Sequence, residues 1–244
     1  MAPIGAWQGR RVMVTGGGGF LGQAVVRELR ANGLSVRAPW NPLRGLAFDA
    51  DALARYATGL DGPLVLVGHS YGGAVISQAA PAVHDVQGLV FLSAFAPDDG
   101  ESCATVQQGF PPSLLATTNV PTAYDAPGAV GGPDLYISID RFHETFCADL
   151  PESIAAPMAV SQRPLSAAAL TEPASAAGWK SLPSWYLVSE RDNAIPPDCE
   201  RFMAERMGAV TESVDGSHAA FIAQPDIATD LILKAVAAVA ASST

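Results

Sequence analysis

The chain has 244 residues, enough for one large domain or two small ones with a substantial core. It is 49% hydrophobic and 16% charged, which excludes a disordered chain and a coiled coil. Lys+Arg 14 against Asp+Glu 24 leaves a net charge of −10, which argues against a phosphate-tracking surface or an anionic membrane as partner.

The three cysteines, Cys103, Cys147 and Cys199, are odd in number and widely spaced. They suggest neither a disulfide framework nor a zinc site, and they fit a reducing cytoplasm. No apolar run reaches the roughly 18 residues of a spanning helix. Met1–Trp7 lacks the basic-then-apolar pattern of a signal peptide.

Short β-branched runs alternate with Ala-rich segments. Arg11–Thr15 predicts a buried strand, Phe20–Ala31 a helix, and Gly33 its C-cap. Leu34–Ala38 follows as a strand and Asp49–Thr58 as a helix. Leu64–Val67 is the clearest buried strand, followed by a helix over Ser70–Ala80 and a strand over Leu89–Ser93. Trp185–Ser189, Pro197–Met207 and Val210–Val214 continue the alternation, and Ile227–Ala241 closes it as a helix. This order predicts an α/β fold with a mostly parallel sheet covered on both faces.

Residues 97–183 break the rhythm with dense Pro and Gly, and helices are expected at Asp140–Leu150 and Glu152–Arg163. The stretch is too long for a loop. It reads as a helical cap, about 98–182, inserted into a single domain whose core spans 10–97 and 183–243. A separate small domain is the alternative.

Gly68-His69-Ser70-Tyr71-Gly72-Gly73 follows the Leu64–Val67 strand and opens a helix. This is the strand–turn–helix context of the G-x-S-x-G nucleophile elbow, in which the turn exposes the serine oxygen. The bland reading is a tight turn whose Ser70 caps the helix. A serine nucleophile needs a base and an orienting acid, in the chain order Ser, Asp/Glu, His for this fold. Asp192 follows one predicted strand and His218 the last. Glu190 and Asp215 rival Asp192; His69, His84 and His143 are weaker candidates for the base.

The elbow GHSYGG, the segment SERDNAIPPDCERFMAERMGA and the GSHA ending resemble the α/β-hydrolase superfamily. Within it they are similar to small bacterial esterases related to plant methylesterases and hydroxynitrile lyases, over about Val36–Ala241. The resemblance implies Ser70 as nucleophile, His218 as base and Asp192 as its partner. The plant lyases carry a lysine directly after the catalytic histidine. Here Ala219 stands there, which favours ester hydrolysis over cyanohydrin cleavage.

The N-terminus departs from that pattern. Members of the group have a His-Gly pair after the first core strand, whereas this chain has Thr15-Gly16-Gly17-Gly18-Gly19-Phe20-Leu21-Gly22. Arg11–Arg37 resembles the glycine-rich start of an extended short-chain dehydrogenase or epimerase, where such a loop meets a dinucleotide pyrophosphate. A chimera joined near Pro39, natural or engineered, would account for it. No acid follows the second strand in Arg37–Asn41 to hold a ribose, and none of the five tyrosines has a lysine four residues on. An NAD(P) site is therefore disfavoured, and no metal or organic cofactor is expected.

The reading is a serine esterase acting on a small, largely apolar ester, thioester or lactone. The N–H of Tyr71, with one from Gly17, Gly18, Gly19 or Phe20, is expected to form the oxyanion hole. His69, Phe110, Leu114, Phe142, His143 and Phe146 are the candidate pocket residues, with Leu115 and Met158 as further apolar cap positions. A lyase on the same triad and a catalytically silent binding protein are the alternatives. A monomer or homodimer fits the sequence equally.

Overall fold

The computed structural model describes residues 10–15, 22–124 and 130–241. In chain order, β1 (Arg11–Val14), α1 (Gly22–Ala31), β2 (Ser35–Arg37), α2 (Leu46–Ala57), β3 (Leu64–Ser70), α3 (Tyr71–Ala79) and β4 (Val86–Ala94) form the first half of the core. The order between β4 and the next core strand is α4 (Leu115–Thr118), β5 (Asn119–Thr122), β6 (Asp134–Ile137), α5 (Phe142–Phe146), α6 (Glu152–Ser161), β7 (Leu165–Ser166) and α7 (Ala167–Thr171). β8 (Ser184–Ser189), α8 (Pro197–Arg206), β9 (Val210–Val214), α9 (Ala220–Ala223) and α10 (Pro225–Ala241) complete the chain.

Six strands pair in the order β2-β1-β3-β4-β8-β9, and every pair is parallel. The strands are apolar on both sides because both faces are covered. Met13, Leu66, Leu89, Phe91, Tyr186 and Val188 pack one way, with α2, α3 and α8. Val12, Val14, Val65, Val67, Val90, Leu92, Trp185 and Leu187 pack the other way, with α1 and α10. Residues adjacent in a strand thus serve opposite layers, as the two-residue strand period requires.

Gly33 has φ 85° and ends α1: its N–H donates to Arg30 O, and Leu34 N–H returns to Leu29 O. The predicted helix at Asp49 starts three residues earlier, at Leu46, where Asp49 turns inward and accepts Arg44 N–H. The predicted helix over Asp140–Leu150 is a 3₁₀ turn followed by the single turn of α5, ended at Cys147.

Between β4 and β8 the chain holds those short helices and also a three-stranded antiparallel sheet, β5-β6-β7, which the sequence pattern did not predict. Strands of two to four residues are too short to show an alternation. This segment between β4 and β8 is tied to the loop before α2. The Arg44 guanidinium pairs with the Asp134 carboxylate, Ser166 N–H donates to Leu43 O, and Arg163 Nη2 donates to Asn41 O. All three cysteines are buried and unbridged.

Candidate active site

β3 delivers Ser70 at its C-terminal end, and α3 begins one residue later. Ser70 sits at φ 54° and ψ −128°, a conformation that side chains with a Cβ rarely adopt. The neighbouring glycines permit it. A Cβ on Gly68 would lie 2.4 Å from Gly72 O, and one on Gly73 would lie 2.5 Å from Phe95 O. The first N–H groups of α3, beginning with Tyr71, have no partner within the helix.

Asp192 and His218 come from the loops after β8 and β9. Glu190 N–H donates to Val214 O and Arg191 N–H to Gly216 O, so the two loops are hydrogen-bonded side by side. Asp192 Oδ1 accepts Ala194 N–H at 2.6 Å and Ile195 N–H at 2.9 Å. Its Oδ2 lies 2.5 Å from His218 Nδ1. With Nδ1 facing a carboxylate, the imidazole presents Nε2 outward, and that buried nitrogen has no hydrogen-bond partner among the described residues. Ser70 and His218 line one cavity. The rivals are engaged elsewhere: Glu190 pairs with Arg201, and Asp215 with Arg191.

His69 lies against His218. Its Nε2 is 2.9 Å from His218 O, and the two rings are 4.5 Å apart between centroids. Burial, then the neighbouring His218, hold its pKa well below the usual value, so it is neutral and donates to that carbonyl.

The cavity has a volume of about 590 Å³, the size of a small-molecule site. Phe142, Phe146 and His69 line it, as the sequence suggests, and so do Leu115 and Met158. Three predicted pocket residues do not. Phe110 packs against Phe202, with ring centroids 5.7 Å apart, because its segment runs over α8. Leu114 precedes α4, and the turn of that helix presents Leu115 instead. His143 turns away to bond Leu150 O at 2.8 Å and Glu152 at 2.9 Å. Sequence reasoning missed Leu92, Phe95, Leu135, Ile137, Leu165 and Phe221 in the wall. These are spread over core strands, cap strands and α9, so no local spacing groups them.

The polar side chains of the wall are largely engaged. Gln162 Oε1 accepts Ile137 N–H, while its Nε2 donates to Ile137 O and Ala159 O. Arg163 donates to Asn41 O and lies 4.4 Å over the Trp40 ring. Thr15 and Gly22 both line the cavity, as Ser70 does. The predicted oxyanion residues Gly17, Gly18, Gly19 and Phe20 between them lie outside the described residues.

The model of the alpha/beta hydrolase family matches residues 6–229, and the chain belongs to that family. It is 25% identical to methylesterase 2 of Arabidopsis thaliana over 217 residues, 84% of this chain and 82% of that one. It is 29% identical to the probable hydrolase R7 of Phoma sp. over 165 residues, 64% of this chain and 62% of that one. Among solved structures, it superposes on a pyrethroid hydrolase from Sphingobium faniae with TM-score 0.76 and 22% identity, over 94% of this chain and 97% of that one. That last likeness is one of fold.

Proposed function

We propose that this protein is a serine carboxylic ester hydrolase working through an acyl-enzyme on Ser70. The observation that carries the reading is His218, held by Asp192 at Nδ1, with Nε2 unpartnered among the described residues and both His218 and Ser70 lining one cavity. His218 Nε2 takes the Ser70 proton as the oxygen attacks the ester carbonyl. The oxyanion receives the Tyr71 N–H and a second N–H from Gly17–Phe20. His218 then protonates the leaving alcohol and activates the water that releases the acid.

A small, largely apolar ester, thioester or lactone suits a mostly apolar wall in which the Gln162 amide and the Arg163 guanidinium are already bonded within the protein. The methylesterase name of one relative points the same way. Ala219, fully buried against α5 and α6, puts an apolar residue directly after His218, where a cyanohydrin route would use a lysine. The test is covalent trapping. A fluorophosphonate should add to the Ser70 peptide of the native chain, as read by mass spectrometry. Labelling elsewhere, or none in the folded protein, contradicts the reading.

A further inference from the structure

Glu200, in the first turn of α8, is fully buried, and the triad does not use it. Its Oε2 accepts Ser189 N–H at 3.0 Å, at the end of the strand that leads to Asp192. Its Oε1 has no hydrogen-bond partner among the described residues, although the Asp192 carboxyl is within side-chain hydrogen-bonding reach. Two ionised carboxylates offer only acceptors and cannot satisfy each other. A proton on one of them resolves both.

Among the described residues, no cation pairs with Glu200 to do the same. Asp192 has His218 as its ion-pair partner, and Glu200 has none among the described residues. Tyr186, on β8, gives its hydroxyl proton to Ala94 O. Cys199, next to Glu200 on α8, has its thiol pushed up to about 12 by burial. Arg206, one and a half turns further along α8, donates Nη1 to Glu101 and Nη2 to Ala96 O. Burial, and then Asp192, push the Glu200 pKa well above the carboxylate range.

The geometry points to Glu200 as a positioning residue: a neutral carboxylic acid that donates its proton to Asp192 while its other oxygen holds Ser189 N–H. The inference rests on the Ser70–His218–Asp192 reading above. The Glu200 proton ties the triad acid to both β8 and α8. It does so without adding charge, so a single negative charge faces the imidazolium that forms during the reaction. Ionisation of Glu200 at alkaline pH would place a second anion there and remove the donor that holds Asp192 in place.

Two variants and two readouts test this. In Glu200→Gln, an amide N–H replaces the acid proton and the amide oxygen still accepts Ser189 N–H. Glu200→Leu offers neither bond. Glu200→Leu should lose about 10²-fold in kcat at nearly unchanged KM, because the base is misplaced rather than the substrate. Glu200→Gln should recover most of that loss, and its kcat/KM should hold at alkaline pH where the native protein declines. Independently of turnover, the infrared difference between native protein and Glu200→Gln near neutral pH should contain the C=O stretch of a protonated carboxylic acid.

If that band is absent, or Glu200→Gln falls as far as Glu200→Leu, the inference is wrong. Should Glu200→Leu fail to fold, Glu200→Gln still decides through the infrared band and the alkaline limb. A folded native protein with no esterase turnover would sink the proposed function, while the infrared band would still report the Glu200 proton.

Discussion

His218 Nδ1 and Asp192 Oδ2 meet at 2.5 Å, and both side chains are shut off from solvent. The carboxylate fixes the orientation of the ring at Nδ1 and leaves Nε2 without a partner among the described residues. Asp192→Asn keeps the shape but replaces one carboxylate oxygen by an N–H donor. Its expected effect is a fall in kcat of about 10³–10⁴-fold with the folded structure intact. Steady-state kinetics on a p-nitrophenyl ester, with circular dichroism to check folding, measures both. Native-like turnover in the folded variant would remove Asp192 from the proposed triad.

The elbow tolerates nothing larger than glycine at position 68, where a Cβ would meet Gly72 O at 2.4 Å and the carbonyl carbon at 2.5 Å. Backbone sits on that side, so the clash cannot be relieved by a rotamer change. Gly68→Ala should destabilise by about 1–3 kcal/mol or more. Gly59→Ala, whose Cβ makes ordinary contact at 3.7 Å, should stay within about 0.5 kcal/mol of the native protein. Urea unfolding midpoints for the two variants make the comparison.

Tyr71 joins the elbow to the loop before α2. Its hydroxyl donates to Asp49 Oδ2 at 2.8 Å, and Arg44 N–H donates to the same carboxylate at 3.1 Å. Burial raises the Asp49 pKa, and the hydrogen bonds offset part of that cost. Tyr71→Phe leaves a buried acceptor short of one donor, at a cost of about 1–3 kcal/mol. Thermal or urea unfolding would read this loss. An unchanged midpoint would mean that Asp49 finds another donor.

His69 gives the stability a pH dependence of definite sign. The folded protein holds it neutral, whereas in the unfolded chain it takes a proton near pH 6.5. Below that pH the unfolded state binds more protons, so stability falls as pH falls, by up to about 1.4 kcal/mol per unit. His69→Gln retains a donor for His218 O and removes the titration. Urea unfolding between pH 7.5 and 5 (~5 being the acid end of the window) should show the native-minus-variant difference moving against the native protein as pH drops. A constant difference would mean that the folded protein accepts the proton.

The sheet and the three candidate triad positions were legible in the sequence because each depends on local order. Leu64–Val67 is a short β-branched run, GHSYGG follows it directly, and Asp192 and His218 each sit just after such a run. Parallel strands bring their C-terminal ends to one edge of the sheet, so residues at those ends meet without any long-range signal. The cap was less legible. Its strands are too short for periodicity, and its register depends on distant pairings such as Arg44 with Asp134 and Ser166 with Leu43. The misplacement of Phe110, Leu114 and His143 has the same origin, since apolarity marks burial but not which cavity a side chain faces. Glu200 was hidden for a different reason: it reads as an ordinary charge in the first turn of a helix, and only burial beside Asp192 singles it out.

The central claim is that Ser70 carries the chemistry. The direct measurement is hydrolysis of p-nitrophenyl acetate and butyrate by the native protein and by Ser70→Ala at equal concentration. The account predicts steady turnover by the native protein and a loss of about 10⁴-fold or more in the variant, to the level left by binding and the oxyanion donors. Equal rates in two folded proteins would contradict it.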